Sequence, residues 1–179
     1  GFMEVDEYEA DDIIGTLARQ ADEMGDYMTY IVSSDLDMLQ IVDENTKMYR
    51  ILRGFSDLEE MDIPAIEEKY GILKSQFLDL KALKGDNSDN IPGVPGIGEK
   101  TAVKLLNEYG SLDGIYAHIE EISGATQKKL MAGKESAEMS LKLAKIMTDA
   151  PVKLSDIPAL KLDFSRISEV FKRLEFNNL

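Results

Sequence analysis

Residues 85–100 read GDNSDNIPGVPGIGEK, and this stretch divides the chain into two kinds of structure. Five glycines and prolines fall between Pro92 and Gly98, which predicts a tight loop and not a regular element. An amphipathic helix is expected to follow over about Glu99–Glu108. Everything beyond it reads as helical, at Leu112–Ile122, Thr126–Met131, Glu135–Met147 and Ser165–Leu174. The loop carries neither phosphate-binding glycine fingerprint: GxxxxGK[ST] is missing, and Gly93, Gly96 and Gly98 follow a turn, not a strand. It reads either as a plain connection or as an anion site. For the second, Gly96-Ile97-Gly98 directly before Glu99-Lys100-Thr101 leaves backbone N–H groups at a helix N-terminus, with Lys100 and Lys104 one turn apart to meet a phosphate backbone.

Upstream of the loop, helical and strand patterns alternate. Ile13, Ile14, Leu17, Ala18 and Ala21 recur at helical spacing, predicting a helix over about Tyr8–Met24 that Gly25 ends. Tyr27–Ser33 is rich in β-branched and aromatic residues and reads as a strand, with Thr46–Leu52 a second. Between them Asp37–Val42 suits a short helix on the sheet. Arg53-Gly54-Phe55 reads as a turn, and Pro64–Tyr70 and Ser75–Lys84 as helices, Pro64 fitting a first turn and Gly71 an end. The expected organisation is an α/β unit over 1–84 and an all-helical unit over 85–179, with no repeat or low-complexity tract.

Seven carboxylates lie in three short clusters at element boundaries: Glu9, Asp11 and Asp12; Asp35 and Asp37; Asp86 and Asp89. Such groups repel one another unless a cation draws them together, so a divalent metal site is indicated. Oxygen donors without Cys or a nearby His favour Mg²⁺ or Mn²⁺. Glu9 and Asp12 share a helix face, and Asp35 and Asp37 follow directly on a strand, where α/β sheets form ligand sites. Each residue also has an ordinary reading, Asp12 or Asp35 as a helix cap and Asp86 as a turn residue.

Charge is unevenly spread. The net charge of the 179 residues is -14, and residues 1–90 hold 22 acidic and 8 basic groups, whereas residues 91–179 balance at 12 and 12. That acidity argues against nucleic acid as a partner. Bound metal would cancel part of it, however, and Lys100, Lys104, Lys128, Lys129 and Lys134 are placed to form a local basic face. The scattered Glu residues suit a solvated surface. No apolar run approaches the ~20 residues of a membrane span, and the N-terminal residues lack a signal-peptide plan. With no Cys, a soluble cytoplasmic protein is the default reading.

YEADDIIGTLA, SSDLDMLQIV and LKGDNSDNIPGVPGIGEKTAVKLL, in this order and spacing, closely resemble the 5′-nuclease domains of bacterial DNA polymerase I, within the wider flap-endonuclease family. The closing VFKRLEFNNL is similar to the end of that domain. The resemblance implies a partial Rossmann-like (PIN/resolvase-like) sheet followed by a helix-hairpin DNA-binding subdomain. It implies a Mg²⁺- or Mn²⁺-dependent 5′-to-3′ exonuclease and flap endonuclease, using two metals, that removes primers and displaced strands. By motif, Glu9, Asp11, Asp12, Asp35 and Asp37 match carboxylates at the first metal, and Asp86 and Asp89 those of the second. IPGVPGIGEKT matches the hairpin element, which implies DNA contacts from Gly93, Val94, Gly96, Ile97, Gly98, Lys100, Thr101 and Lys104, and a K⁺ ion on its backbone carbonyls. The implied partners are 5′-flap or nicked duplex DNA and polymerase domains in the same chain, the implied setting the bacterial nucleoid.

The family pattern also includes an earlier strand bearing a metal-site Asp and a basic helical arch, so the resemblance points to the C-terminal part of such a domain, with a sheet edge open or filled by a partner. Two other functions compete: a catalytically incomplete duplex-binding module, and a related metal-dependent ribonuclease. The hairpin weighs against the latter. His118, the only histidine, is expected to serve the surface or packing and not catalysis, and Tyr8 reads either as packing at the start of the helix or as stacking on a base near the metals.

Overall fold

The computed structural model describes residues 2–54, 57–157 and 164–175. Phe55 of the expected turn, and the last four residues of the closing motif, lie outside them. Helix α1 (Ala10–Met24) buries Ile13, Ala18 and Ala21 along the face its spacing predicts. It starts two residues after Tyr8, because Glu9 is its N-cap. Strand β1 (Thr29–Ser33) pairs in parallel with β2 (Thr46–Ile51) from Thr29↔Thr46 to Ser33↔Arg50. Since β2 begins at Thr46, Tyr27 and Met28 have no strand partner among the described residues and fall outside β1. The connection is a 3₁₀ turn, Leu36–Ile41, with Met38 and Leu39 buried under the sheet.

A third strand, β3 (Leu58–Met61), adds antiparallel to β2. Nothing in the sequence reading anticipates it. Its two glutamates read as solvated, yet Glu60 pairs with Lys47 at 2.7 Å, and Glu59 with Lys69 at 2.7 Å and Arg50 at 3.4 Å. The sheet order is β1-β2-β3, so β1 is an edge among the described residues. Along it runs an apolar groove of about 400 Å³ that includes Leu17, Ala21, Tyr30 and Val32.

Helix α2 (Ile63–Tyr70) has Pro64 in its first turn and closes at Gly71. The helix expected from Ser75 begins instead at Phe77, as α3 (Phe77–Lys84), after a 3₁₀ turn at Lys74–Gln76. There the buried Gln76 amide donates to the carbonyls of Leu106 and Gly110 at 2.9 and 2.7 Å. α3 ties the two halves together. Phe77 packs with Ile31, Met48, Met61 and Ile66 in the α/β core, and Leu80 and Leu83 pack with Val94, Leu106, Ile115 and Leu130 in the helical core.

The helical half contains α4 (Glu99–Tyr109), α5 (Leu112–Ala117), α6 (Gly124–Ala132), α7 (Lys134–Ala144) and α8 (Phe164–Arg173). The helix expected over Leu112–Ile122 breaks at His118, whose exposed ring stacks on Tyr109 at 5.7 Å, and a 3₁₀ turn follows. α7 stops three residues short of the expected Met147. Gln40 explains the stop: its amide donates to the Ala144 carbonyl at 2.7 Å and accepts from the Ile146 N–H at 3.3 Å, which draws residues 145–147 out of the helix and Ile146 into the α/β core.

Candidate metal centre

The carboxyl end of β1 runs into Asp35, whose Oδ1 accepts from the Asp37 N–H at 2.9 Å and so caps the 3₁₀ turn. This bond aims Asp37 toward α3. From the other direction, Gly85 ends α3 and residues 86–91 close as a small loop, with Asp86 and Ile91 exchanging both backbone hydrogen bonds at 2.8 Å. Asp86 Oδ1 accepts from the N–H and hydroxyl of Ser88. Asp37, Asp86 and Asp89 thereby converge, each presenting one oxygen, with the three oxygens all within 4.8 Å of one another.

A fourth side chain completes this cluster, and the sequence reading missed it. Lys81 lies on α3 between Leu80 and Ala82, with its side chain only 4% exposed. Its ammonium bonds Asp37 and lies 3.0 Å from Asp86 Oδ2 and 3.5 Å from Asp89 Oδ2. The only signal was position: a lysine set between Leu80 and Ala82, on the same helix face as Phe77.

The first carboxylate cluster lies on the same cleft. A cavity of about 530 Å³ is lined by Glu7, Glu9, Asp11, Asp12, Asp35, Asp37 and Asp89 together with residues 143–147. Six of the seven predicted carboxylates thus share one space, and the seventh, Asp86, reaches it through Lys81. Asp12 is committed differently from the rest. Its Oδ2 accepts from the Glu9 N–H at 3.2 Å and its Oδ1 from the Met147 N–H at 2.8 Å, so it caps α1 and pins the unwound end of α7.

The electrostatics fit a site short of positive charge. Burial pushes the Asp11 carboxyl above its usual range, and the charges of Glu9, Asp12 and Asp35 push it further. Burial also raises Asp37, against the opposing pull of Lys81. Asp86 goes the other way, held down to about 2 first by the Ser88 hydroxyl and then by Lys81. Burial acts to lower Lys81, but its bonds to Asp37 and Asp86 outweigh that and hold it above the ordinary lysine value. Converging carboxylate oxygens without nitrogen or sulfur donors are the donor set of a hard divalent cation, and the residues fit one.

The glycine-rich loop is anchored by its apolar residues and exposed at its tip. Val94 and Ile97 are buried in the helical core. Gly93 is buried too, its N–H donating to Ser140 Oγ at 3.0 Å and its carbonyl accepting from Ser136 Oγ at 2.6 Å. Gly96 and Gly98 are exposed and Thr101 is half-buried. Lys100 and Lys104 stand exposed on the first turns of α4. Beside the tip, Lys128 and Lys129 line a shallow cavity of about 260 Å³ with Pro95 and Gly133, and Lys129 donates to the Gly96 carbonyl at 3.0 Å. Tyr8 packs near Ile13, Ala150 and Val152.

Two family models tile the chain: 5′-3′ exonuclease, N-terminal resolvase-like domain, over residues 1–71, and 5′-3′ exonuclease, C-terminal SAM fold, over residues 72–165. The DNA polymerase I of Bacillus caldotenax is 45% identical over 178 residues, covering 98% of this chain and 20% of the relative. That of Bacillus subtilis is 44% identical over 179 residues, with the same coverage. The chain therefore spans about a fifth of the length of the curated relatives it matches. Among solved structures, T5 5′-exonuclease with bound zinc has a TM-score of 0.69 at 25% identity over 82% of this chain and 53% of that one. The catalytic core of Rad2 with DNA shares the fold, with a TM-score of 0.53 at 18% identity, covering 88% of this chain and 56% of that one. A resolvase-like α/β half, a SAM-like helical half and near-complete coverage by DNA polymerase I sequences make this chain a member of the 5′-3′ exonuclease family.

Proposed function

We propose that the chain hydrolyses DNA phosphodiester bonds as a metal-dependent 5′-to-3′ exonuclease and flap endonuclease, within a bacterial DNA polymerase I. The observation that carries this reading is the convergence of Asp37, Asp86 and Asp89, drawn from the end of β1 and from the loop after α3, on the cleft that also holds Asp11 and Asp35. Asp37, Asp86 and Asp89 would hold one divalent cation, and Glu9, Asp11 and Asp35 a second, with Mg²⁺ or Mn²⁺ suited to the oxygen donors. Such cations, when bound, supply Lewis acidity and the positive charge that a phosphodiester needs on entering hydrolysis.

The remaining work belongs to the protein. Asp12 keeps α1 and residues 145–147 in register at the cleft wall, and no Ser, Cys or His nucleophile is required. The tip of the hairpin at Gly96–Gly98, with Lys100, Lys104, Lys128 and Lys129, would take the phosphate backbone of a 5′-flap or nicked duplex without reading its sequence. The hairpin's carbonyls are suited to a K⁺ ion bridging to a phosphate. Because loop 85–98 carries both Asp86 and Asp89 and the hairpin, a duplex held at the hairpin is held at a fixed reach from the carboxylates.

The test is single-turnover cleavage of an end-labelled 5′-flap duplex by the full-length protein in Mg²⁺. Asp89→Asn and Asp35→Asn should each lower the rate by orders of magnitude while leaving duplex binding in EDTA intact. Cleavage that persists in EDTA, or that Asp89→Asn leaves unchanged, would refute the reading.

A further inference from the structure

The ammonium of Lys81 lies among the carboxylate trio, nearest to Asp37. It bonds Asp37, lies 3.0 and 3.5 Å from oxygens of Asp86 and Asp89, and its own side chain is 4% exposed. A divalent cation held by the same three oxygens would need that same position, since Mg²⁺–oxygen distances are about 2.1 Å. Two cations cannot share it. We infer that Lys81 is a resident counter-cation: it holds Asp37, Asp86 and Asp89 together in the metal-free protein, and it must leave its place for a divalent ion to bind there. The inference rests on the metal reading proposed above and assigns a role to a residue that reading does not use.

The geometry favours this over a purely structural ion pair. One carboxylate would be enough to balance the charge of a buried lysine, and Asp37 is the nearest. Here three carboxylates from two separate segments are gathered on one ammonium, and their summed charge remains negative. The leftover charge opposes folding and is relieved by a divalent ion but not by the lysine. The side chain also has somewhere to go. Lys81 sits on the last turn and a half of α3, next to the open 530 Å³ cleft that Asp37 and Asp89 line. The device has a cost and a use. The metal-ready arrangement is assembled before metal arrives, at the expense of affinity, because the competent state is only the fraction with Lys81 displaced.

The experiment is Mn²⁺ binding to the parent and to Lys81→Met, followed by calorimetry and by the paramagnetic signal of free Mn²⁺. Lys81→Met should bind Mn²⁺ on the order of tenfold or more tightly at one site, the gain expected when a competing state is removed. Adding Asp86→Asn should cancel that gain. In EDTA, Lys81→Met should melt below the parent, and Mn²⁺ should raise its midpoint further than it raises the parent's. Equal affinities in parent and variant would overturn the inference while leaving the metal reading standing. No Mn²⁺ binding by either protein would remove both.

If Lys81→Met does not fold, the parent decides alone. Amine labelling read by peptide mass spectrometry should find Lys81 protected in EDTA and several-fold more reactive with saturating Mn²⁺. Protection unchanged by Mn²⁺ would show that the lysine never leaves, and the inference would fail.

Discussion

Gly93 and Gly98 sit five residues apart in one loop, yet alanine at each should fail for a different reason. At Gly93 φ is +62°, and an added Cβ would lie 2.3 Å from Gly85 N and 2.6 Å from the Lys84 carbonyl carbon. The left-handed backbone costs alanine ~1–2 kcal/mol, and the overlap, with main chain that has no rotamer to yield, adds ~1–3 kcal/mol. Any shift that relieves it also disturbs the bonds to Ser136 and Ser140, each worth ~1 kcal/mol. Gly93→Ala should therefore lose ~3 kcal/mol or more of the ~5–15 kcal/mol that holds a domain. At Gly98 φ is -94° and an added Cβ meets nothing within 4 Å. Only the N-cap preference is lost, at most ~1 kcal/mol. Its open face is where a phosphate would approach, so Gly98→Ala should weaken duplex binding several-fold. Urea melts in EDTA measure the first effect, and fluorescence anisotropy with a labelled duplex, on samples shown to be folded, measures the second. A Gly93→Ala midpoint within error of the parent would refute the close-approach argument, and unchanged duplex affinity in Gly98→Ala would refute the assignment of the hairpin tip.

Asp79 is raised above its usual carboxylate range by burial, although its Oδ2 accepts from the Leu112 N–H at 3.2 Å. A folded-state value above the unfolded one means that its contribution favours folding at low pH and is lost as pH rises through the folded value. Asp79→Asn keeps an acceptor and removes the charge, so it should be more stable than the parent at pH 7 and no better below pH ~3.8; an advantage independent of pH in urea melts would contradict this. Lys100 is exposed on the first turn of α4, and Lys100→Ala should weaken binding to all duplex sequences alike while flattening the logarithmic salt slope by about one unit. A loss confined to one sequence, in titrations across a salt series, would argue for base readout instead.

Elements whose periodicity is set by one buried face were legible: α1 from Ile13, Ala18 and Ala21, and β1 from its β-branched run. β3 was not, because its alternation is written in glutamates whose partners, Lys47, Arg50 and Lys69, lie on other elements. The early end of α7 was equally hidden, since Gln40 is a hundred residues upstream of the backbone it captures. The carboxylate clusters were visible one at a time. Spacing alone does not bring Asp37 to Asp86 across 49 residues; that needs the sheet, α3 and the loop closure between Asp86 and Ile91. Lys81 was invisible because a lysine in a short helix defaults to solvent, and only its neighbours in space show that it faces carboxylates.

The capping and turn bonds of these carboxylates fix particular oxygens. Asp35 spends Oδ1 on the Asp37 N–H, and Asp86 spends Oδ1 on Ser88 while Oδ2 faces Lys81. A side chain fixed through one oxygen has lost its rotational freedom before any ligand arrives, so the other oxygen is presented at little further entropic cost. Asp12 shows the limit of the arrangement. With both oxygens on backbone N–H groups, it holds the cleft wall as well as lining the cavity, and each oxygen keeps acceptor capacity beyond the one bond it accepts. Capping and turn chemistry are thus the means by which acidic groups that repel one another are kept close together at this cleft.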